Sequence, residues 1–240
     1  MTKLHQKKPM LNPDDFIIAR KRKKYRFAQF HNAANCFELD EWQLQPQSAA
    51  TPVVVEVGAG TALFLVELAA RHPEQQFVAL DVKGDRLQKG ARQALERAVH
   101  NIRFVRARAD QLLEVVQPGT VAALWLTFSD PFPKKRDAKR RLTHQTFLEI
   151  YKNTLVDKGV LFQKTDNHDL FDWSLEQLVA SGWRLNELSY DLHESDLPSD
   201  YKVLTSYEAR WLAEGLKTYF VRAAKPQGEH VPRRRSSQRP

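Results

Sequence analysis

VVVEVGAGTALFLVELAAR, Val53 to Arg71, joins two periodicities through a short turn. VVVEV sets four valines around one acid, the composition of a short strand covered on both faces, and Leu63 to Arg71 repeats apolar residues at helical spacing. Gly58 and Gly60 lie between them. Without a Cβ they let the backbone approach a ligand, and the helix that follows offers free N–H groups. A dinucleotide fingerprint would need a third glycine at position 63, which is Leu63, so a pyrophosphate grip is not supported.

The same alternation continues outward. Phe77 to Asp81 (FVALD) reads as a strand, Asp85 to Val99 as a helix, and Ile102 to Val105 as a strand. Strand Val121 to Leu126, helix Thr143 to Leu155, strand Gly159 to Thr165 and helix His168 to Ser181 repeat the cycle. Strands separated by helices need right-handed parallel crossovers, which predicts an α/β fold with a doubly wound, mostly parallel sheet. Trp183 to Leu192 and Leu216 to Ala224 are expected to close it as an antiparallel C-terminal pair, seven strands in all.

With 240 residues and 42% hydrophobic content, one domain of ordinary size is expected. No run approaches the roughly 18 apolar residues of a membrane span, and MTKLHQKKPM lacks the apolar core of a secretory signal, so a cytoplasmic protein is expected. The single cysteine, Cys36, excludes a disulfide framework and a Cys-cluster metal site; it reads as a passive, partly buried residue. The eight histidines include no HExxH or HxH pair, and no metal is expected.

Charge is uneven. Residues 1–30 hold nine Lys/Arg against Asp14 and Asp15, and residues 225–240 hold five against Glu229, so ends of +7 and +4 flank a body of −3. The expected organisation is a basic N-terminal arm (1–30), a catalytic domain (31–224) and a basic, disordered tail (225–240). Inside the acidic body, TFSDPFPKKRDAKRRLT (Thr127 to Thr143) is the exception, with six cations and one acid between Lys134 and Arg141. Alone, such a run reads as a solvated loop. As one of three concentrations of positive charge it matches a surface that neutralises phosphates.

Glu56, Asp81, Asp110 and Asp130 all fall at or near the carboxyl ends of successive strands, where open α/β folds place ligands. Asp81 follows the glycines by about 20 residues, the place from which a carboxylate reaches ribose hydroxyls. Taken singly, each acid admits a structural role: Glu56 as a hydrogen-bonded strand acid, Asp81 and Asp110 as caps, Asp166 as the start of the helix at His168. Together they form an acidic crevice, which suits the cationic sulfonium and amino groups of S-adenosylmethionine. That is a Rossmann-like class I methyltransferase reading.

EVGAG, FVALD, TFSDPFPKKRDAKRRLT, FQKTDN and LTSYE occur in an order that resembles the bacterial tRNA (guanine-N7)-methyltransferases, from about Val53 to Ala224. The resemblance implies methylation of guanine N7 in the tRNA variable loop, at tRNA position 46. It assigns Glu56, Gly58, Gly60, Asp81, Asp110 and Asp130 to the cofactor and makes Asp130 catalytic. Lys134, Asp166 and Thr205, Ser206, Tyr207 and Glu208 match its substrate-binding positions, and Arg136, Lys139, Arg140 and Arg141 its RNA-contacting segment. Three positions depart from the family pattern: Ala62 where a glycine is usual, Phe132 for the tryptophan after Asp-Pro, and Asp137 for a histidine.

Two other functions fit the same features: a methyltransferase of another RNA, and a catalytically silent RNA-binding homologue, suggested by Ala62 and Phe132. The cations from Arg20 to Arg26 read equally well as a tRNA contact, a solvated helix face or a nonspecific tether. The motifs suit a monomer or a homodimer alike.

Overall fold

The structure is a computed structural model and describes residues 9–15, 21–45, 52–205 and 207–226. Ser206, Arg20 and the tail beyond residue 226 lie outside the described residues. One sheet carries eight strands: β1 (Cys36–Glu38), β2 (Val53–Val57), β3 (Gln76–Asp81), β4 (Ile102–Arg106), β5 (Val121–Thr127), β6 (Leu155–Thr165), β7 (Arg184–Ser189) and β8 (Tyr219–Ala224). The helices are α1 (Lys21–Asn32), α2 (Leu39–Gln43), α3 (Leu63–Arg71), α4 (Gly84–Glu96), α5 (Leu112–Val115), α6 (Gln145–Thr154), α7 (His168–Ala180) and α8 (Glu208–Ala213).

The strand order is β1-β4-β3-β2-β5-β6-β8-β7, parallel through β6 and antiparallel where β8 pairs with β6 and β7. β2 is central, and the chain turns from one side of it to the other between β4 and β5. That reversal is a topological switch point, so the carboxyl ends of β2 and β5 open onto a crevice. Both faces are covered. Val54 joins Phe64, Leu65, Leu87 and Ala91 under α3 and α4. Val55 and Val57 join Leu148, Tyr151, Phe171 and Leu178 under α6 and α7. A strand apolar on both sides is what VVVEV predicts.

The observed sheet has one strand more than the seven expected. β1 is three residues long and pairs in parallel with β4 at the edge, too short to display a period in sequence. The expected boundary at residue 30 falls inside α1, whose Ala28 and Phe30 are buried. α4 stops at Glu96, before the expected Val99, because Ala98 takes a left-handed φ of 54°. Cys36 is fully enclosed.

One contact ties the fold to the glycine turn. A Cβ on Gly90 of α4 would lie 2.4 Å from the Thr61 carbonyl oxygen, so only glycine lets α4 press against the segment that carries Gly58 and Gly60.

Candidate active site

The crevice at the switch point is a cleft of about 1170 Å³, lined from β2, β3 and β5, from the segments that follow β2 to β6, and from α1, α3 and α4. Glu56, the fourth residue of β2, is buried. Its Oε1 accepts a 2.5 Å hydrogen bond from Thr127 Oγ1 at the end of β5, while Oε2 is buried without a hydrogen-bond partner. Burial is the main cause that pushes its carboxyl up to about 8, reinforced by the nearby Asp81 and opposed by Thr127 and Lys164. An unmatched buried acceptor is costly unless something completes it, and a cationic ligand group in the cleft would do so.

Asp81 closes the opposite side of the turn. Its Oδ2 accepts from Gly60 N at 2.8 Å and its Oδ1 from Lys83 N at 2.7 Å. The turn amide that a Rossmann site would offer to phosphate is therefore already taken by a carboxylate. This site is built for cations and hydroxyl donors. Ala62, the N-cap of α3, has a φ of 53°, in the left-handed region that favours glycine.

Beyond β5 the chain leaves in a constrained path. Phe128 and Phe132, on either side of Asp130, both have positive φ, 48° and 41°. Such backbone in aromatic residues persists only where the surroundings enforce it. Here the brace is visible: Arg141 Nε donates to the Pro131 carbonyl at 2.9 Å and Nη2 to the Phe132 carbonyl at 3.1 Å, while its guanidinium stacks 4.5 Å over Trp173. Asp130 is thereby presented, exposed, at the cleft wall. Arg140 lies 4.4 Å over the Phe132 ring, also in the cleft.

On the far side Asp166, just past β6, lines the cleft and accepts a 3.2 Å hydrogen bond from the Tyr207 hydroxyl. Burial, then the Asp166 carboxylate, raises the Tyr207 pKa, which keeps the hydroxyl a donor. Asp166 does not cap α7; Asn167 does, accepting from Leu170 N at 2.7 Å.

Of the residues that the sequence points to, the cleft gathers Glu56, Gly58, Gly60, Asp81, Asp130, Asp166, Thr205, Tyr207 and Arg140. The other described ones sit elsewhere. Asp110 is in a 3-10 turn at 109–111 and is held by both Arg108 Nε (2.9 Å) and Nη2 (2.8 Å), while its neighbours Ala107 and Ala109 line the cleft. Glu208 is buried below the rim, accepting from Lys164 Nζ (2.8 Å), Thr218 Oγ1 (3.2 Å) and Thr205 N (3.1 Å), with His193 Nε2 at 2.8 Å. Thr205 Oγ1 accepts in return from Glu208 N, the reciprocal pairing of a capping box at the start of α8. Arg141 braces the loop, and Lys134, Arg136 and Lys139 are exposed outside the cleft.

Three participants carry no sequence signal of their own: Thr127, Lys164 and His193. The first two stand inside the motifs TFSDP and FQKTDN, where only strand register shows that Thr127 faces Glu56 and that Lys164 is enclosed. Nothing local marks His193. Among the described residues no cluster of His, Cys, Asp and Glu could hold a metal ion, and no helix is long and apolar enough to cross a membrane.

A model of a family described as putative methyltransferase matches residues 50–221. The tRNA (guanine-N(7)-)-methyltransferase of Brevibacillus brevis is 39% identical over 173 residues, 72% of this chain and 80% of its own. The chain belongs to the tRNA (guanine-N7)-methyltransferase family. Its relative in Staphylococcus carnosus is 37% identical over 186 residues, covering 78% and 85% of the two chains. A solved 16S rRNA (adenine(1408)-N(1))-methyltransferase from Catenulisporales acidiphilia, with cosubstrate SAM, shares the fold at TM-score 0.53 and 15% identity, over 80% of this chain and 93% of that one. In this family member the matched region contains the whole cleft except Arg26.

Proposed function

We propose that the chain transfers a methyl group from S-adenosylmethionine to guanine N7 of tRNA, forming 7-methylguanosine in the variable loop. The observation that carries this reading is the meeting, in one cleft, of a buried Glu56 whose Oε2 has no hydrogen-bond partner, the turn-binding Asp81 and the acids Asp130 and Asp166 beside a basic loop. Glu56 and Asp81 would hold the donor, with Gly58 and Gly60 beneath it. Bound there, S-adenosylmethionine supplies an electrophilic methyl group on a cationic sulfur.

Guanine N7 presents an in-plane lone pair and no proton. The chain therefore needs no general base, and alignment supplies most of the acceleration. Methylation leaves positive charge on the purine, and a fixed carboxylate, Asp130, is placed to stabilise it as it develops. Asp166, oriented by the Tyr207 hydroxyl, has acceptor capacity left for guanine N1–H and its exocyclic amine. A base that reaches this depth must leave its tertiary pairing in the folded tRNA, and the bracing of the Asp130 loop gives it a rigid receptacle. Arg136, Lys139 and Arg140 would hold the backbone without reading sequence. The enzyme would work in the cytoplasm, where its substrate is.

The test is incubation of unmodified tRNA with labelled S-adenosylmethionine, followed by cleavage mapping at 7-methylguanosine. Label confined to a variable-loop guanosine is the expected result. Cofactor binding without label in tRNA would reject the reading and favour another RNA substrate or a silent homologue.

A further inference from the structure

The wall of the cleft formed by α1 and α4 carries a second set of cations that the basic loop does not explain. Arg26, Lys83, Arg86 and Lys89 line the cleft and are all exposed. None of them makes an ion pair with a carboxylate among the described residues. Their neighbours behave differently: Arg92 pairs with Glu96 at 3.4 Å, Arg97 with Glu67 at 2.9 Å, and Arg106 with Glu38 at 3.1 Å. These three are paired, whereas among the described residues the four at the cleft edge are not.

Packing sets this arrangement. Phe30 of α1 lies against Gly84, where an added Cβ would be 3.2 Å from its ring, so the bare glycine lets α1 cross the start of α4. Arg26 is one turn before Phe30 on the same side of α1 and is carried to the cleft rim. Arg86 and Lys89 are three apart on α4 and share its cleft-facing side. Among the cleft-lining residues of these two helices the one acid is the half-buried Asp85, in the first turn of α4.

We propose that α1 and α4 form a second phosphate-binding wall, so that the tRNA backbone is held from both sides of the cleft, by Arg136, Lys139 and Arg140 across from Arg26, Arg86 and Lys89. The inference rests on tRNA being the substrate. A polyanion long enough to span the cleft satisfies both sets of charges, whereas a single small anion would leave one set unmatched. Two walls also explain how a backbone could be gripped while one base enters the acidic floor between them.

The test uses the full chain with Arg26→Gln, Arg86→Gln and Lys89→Gln together, exposed changes that should not disturb folding. tRNA affinity is measured across a salt series, and S-adenosylmethionine affinity by calorimetry. At about 0.1 M salt the tRNA Kd should rise about tenfold or more. The slope of log K against log salt should become shallower by about 2 to 3, since each lost phosphate contact removes about 0.7 to 0.9. Cofactor affinity should be unchanged. A slope equal to that of the wild type, or a loss confined to cofactor affinity, overturns the proposal. If the wild-type chain fails to bind tRNA, the methyltransferase reading falls and this wall with it; if the wild type binds and the variant slope is unchanged, the wall alone falls.

Discussion

Lys164 Nζ and Glu208 Oε2 lie 2.8 Å apart with both side chains almost wholly enclosed, Lys164 at 0% and Glu208 at 1% exposure. Lys164 also donates to the Val203 carbonyl at 2.9 Å, and its ammonium lies 5.2 Å from the Phe64 ring centre. The pair joins the end of β6 to the segment from Val203 to Glu208. Asp166 follows Lys164 by two residues and Tyr207 directly precedes Glu208, so the buried pair helps set the geometry of the Tyr207–Asp166 contact.

Breaking a buried pair by removing one partner strands a charge, at a cost of about 3 to 5 kcal/mol. Lys164→Met and Glu208→Gln should each lower the urea midpoint accordingly. The double variant Lys164→Met with Glu208→Gln should cost less than the sum of the two single changes. Additive costs would mean that the two side chains act independently.

Glu56 gives a pH prediction. Its folded-state pKa, about 8, lies above the ordinary 4.5. The protonated form is favoured by folding, so the contribution is fully present below about pH 4.5 and is lost as pH rises towards 8. A tenfold difference in proton affinity between the folded and unfolded chain is worth about 1.4 kcal/mol. Glu56→Gln should flatten this part of the pH–stability curve, and an unchanged curve would show that Glu56 is not responsible.

The same carboxyl predicts a proton balance. Near pH 7 the free protein keeps Glu56 protonated, and a cationic ligand beside Oε2 favours ionisation. Binding of S-adenosylmethionine should release a proton, read as a dependence of the calorimetric heat on the buffer's ionisation enthalpy. Glu56→Gln should abolish that dependence. Binding by the wild type without proton release would place the cationic end of the ligand away from Glu56.

Arg141 separates bracing from RNA contact. Arg141→Lys keeps the charge but loses the two-carbonyl fork. Methyl transfer should fall about 10- to 100-fold through displacement of Asp130, with the salt dependence of tRNA binding unchanged. Arg136→Gln with Lys139→Gln and Arg140→Gln should do the reverse, raising the tRNA KM and flattening the salt slope. A shallower slope in Arg141→Gln, which removes the charge that Arg141→Lys keeps, would assign Arg141 to the RNA instead.

The sheet is legible in the sequence because its elements are periodic: VVVEV and FVALD are strands in both sequence and structure, and Leu63–Arg71 is a helix at both of its expected ends. β1 is not, since three residues carry no period, nor is α1, whose two buried residues stand behind a run of cations. At the site, carboxylates at strand ends are readable from chain order. Their partners are not: Arg108 claims Asp110, Lys164 claims Glu208, and Thr127 satisfies half of Glu56. The first is a local pairing two residues apart, and the other two depend on register or on a loop returning from a distant part of the chain.

The role of Asp130 is decided by single-turnover methyl transfer with Asp130→Ala on preformed tRNA complexes, tRNA affinity being measured on the same samples. Loss of transfer to the detection limit, with the tRNA Kd within about twofold, is the predicted result if, as proposed, Asp130 acts on the reacting base and other residues hold the backbone. Turnover at the wild-type rate would contradict it and remove Asp130 from the chemistry.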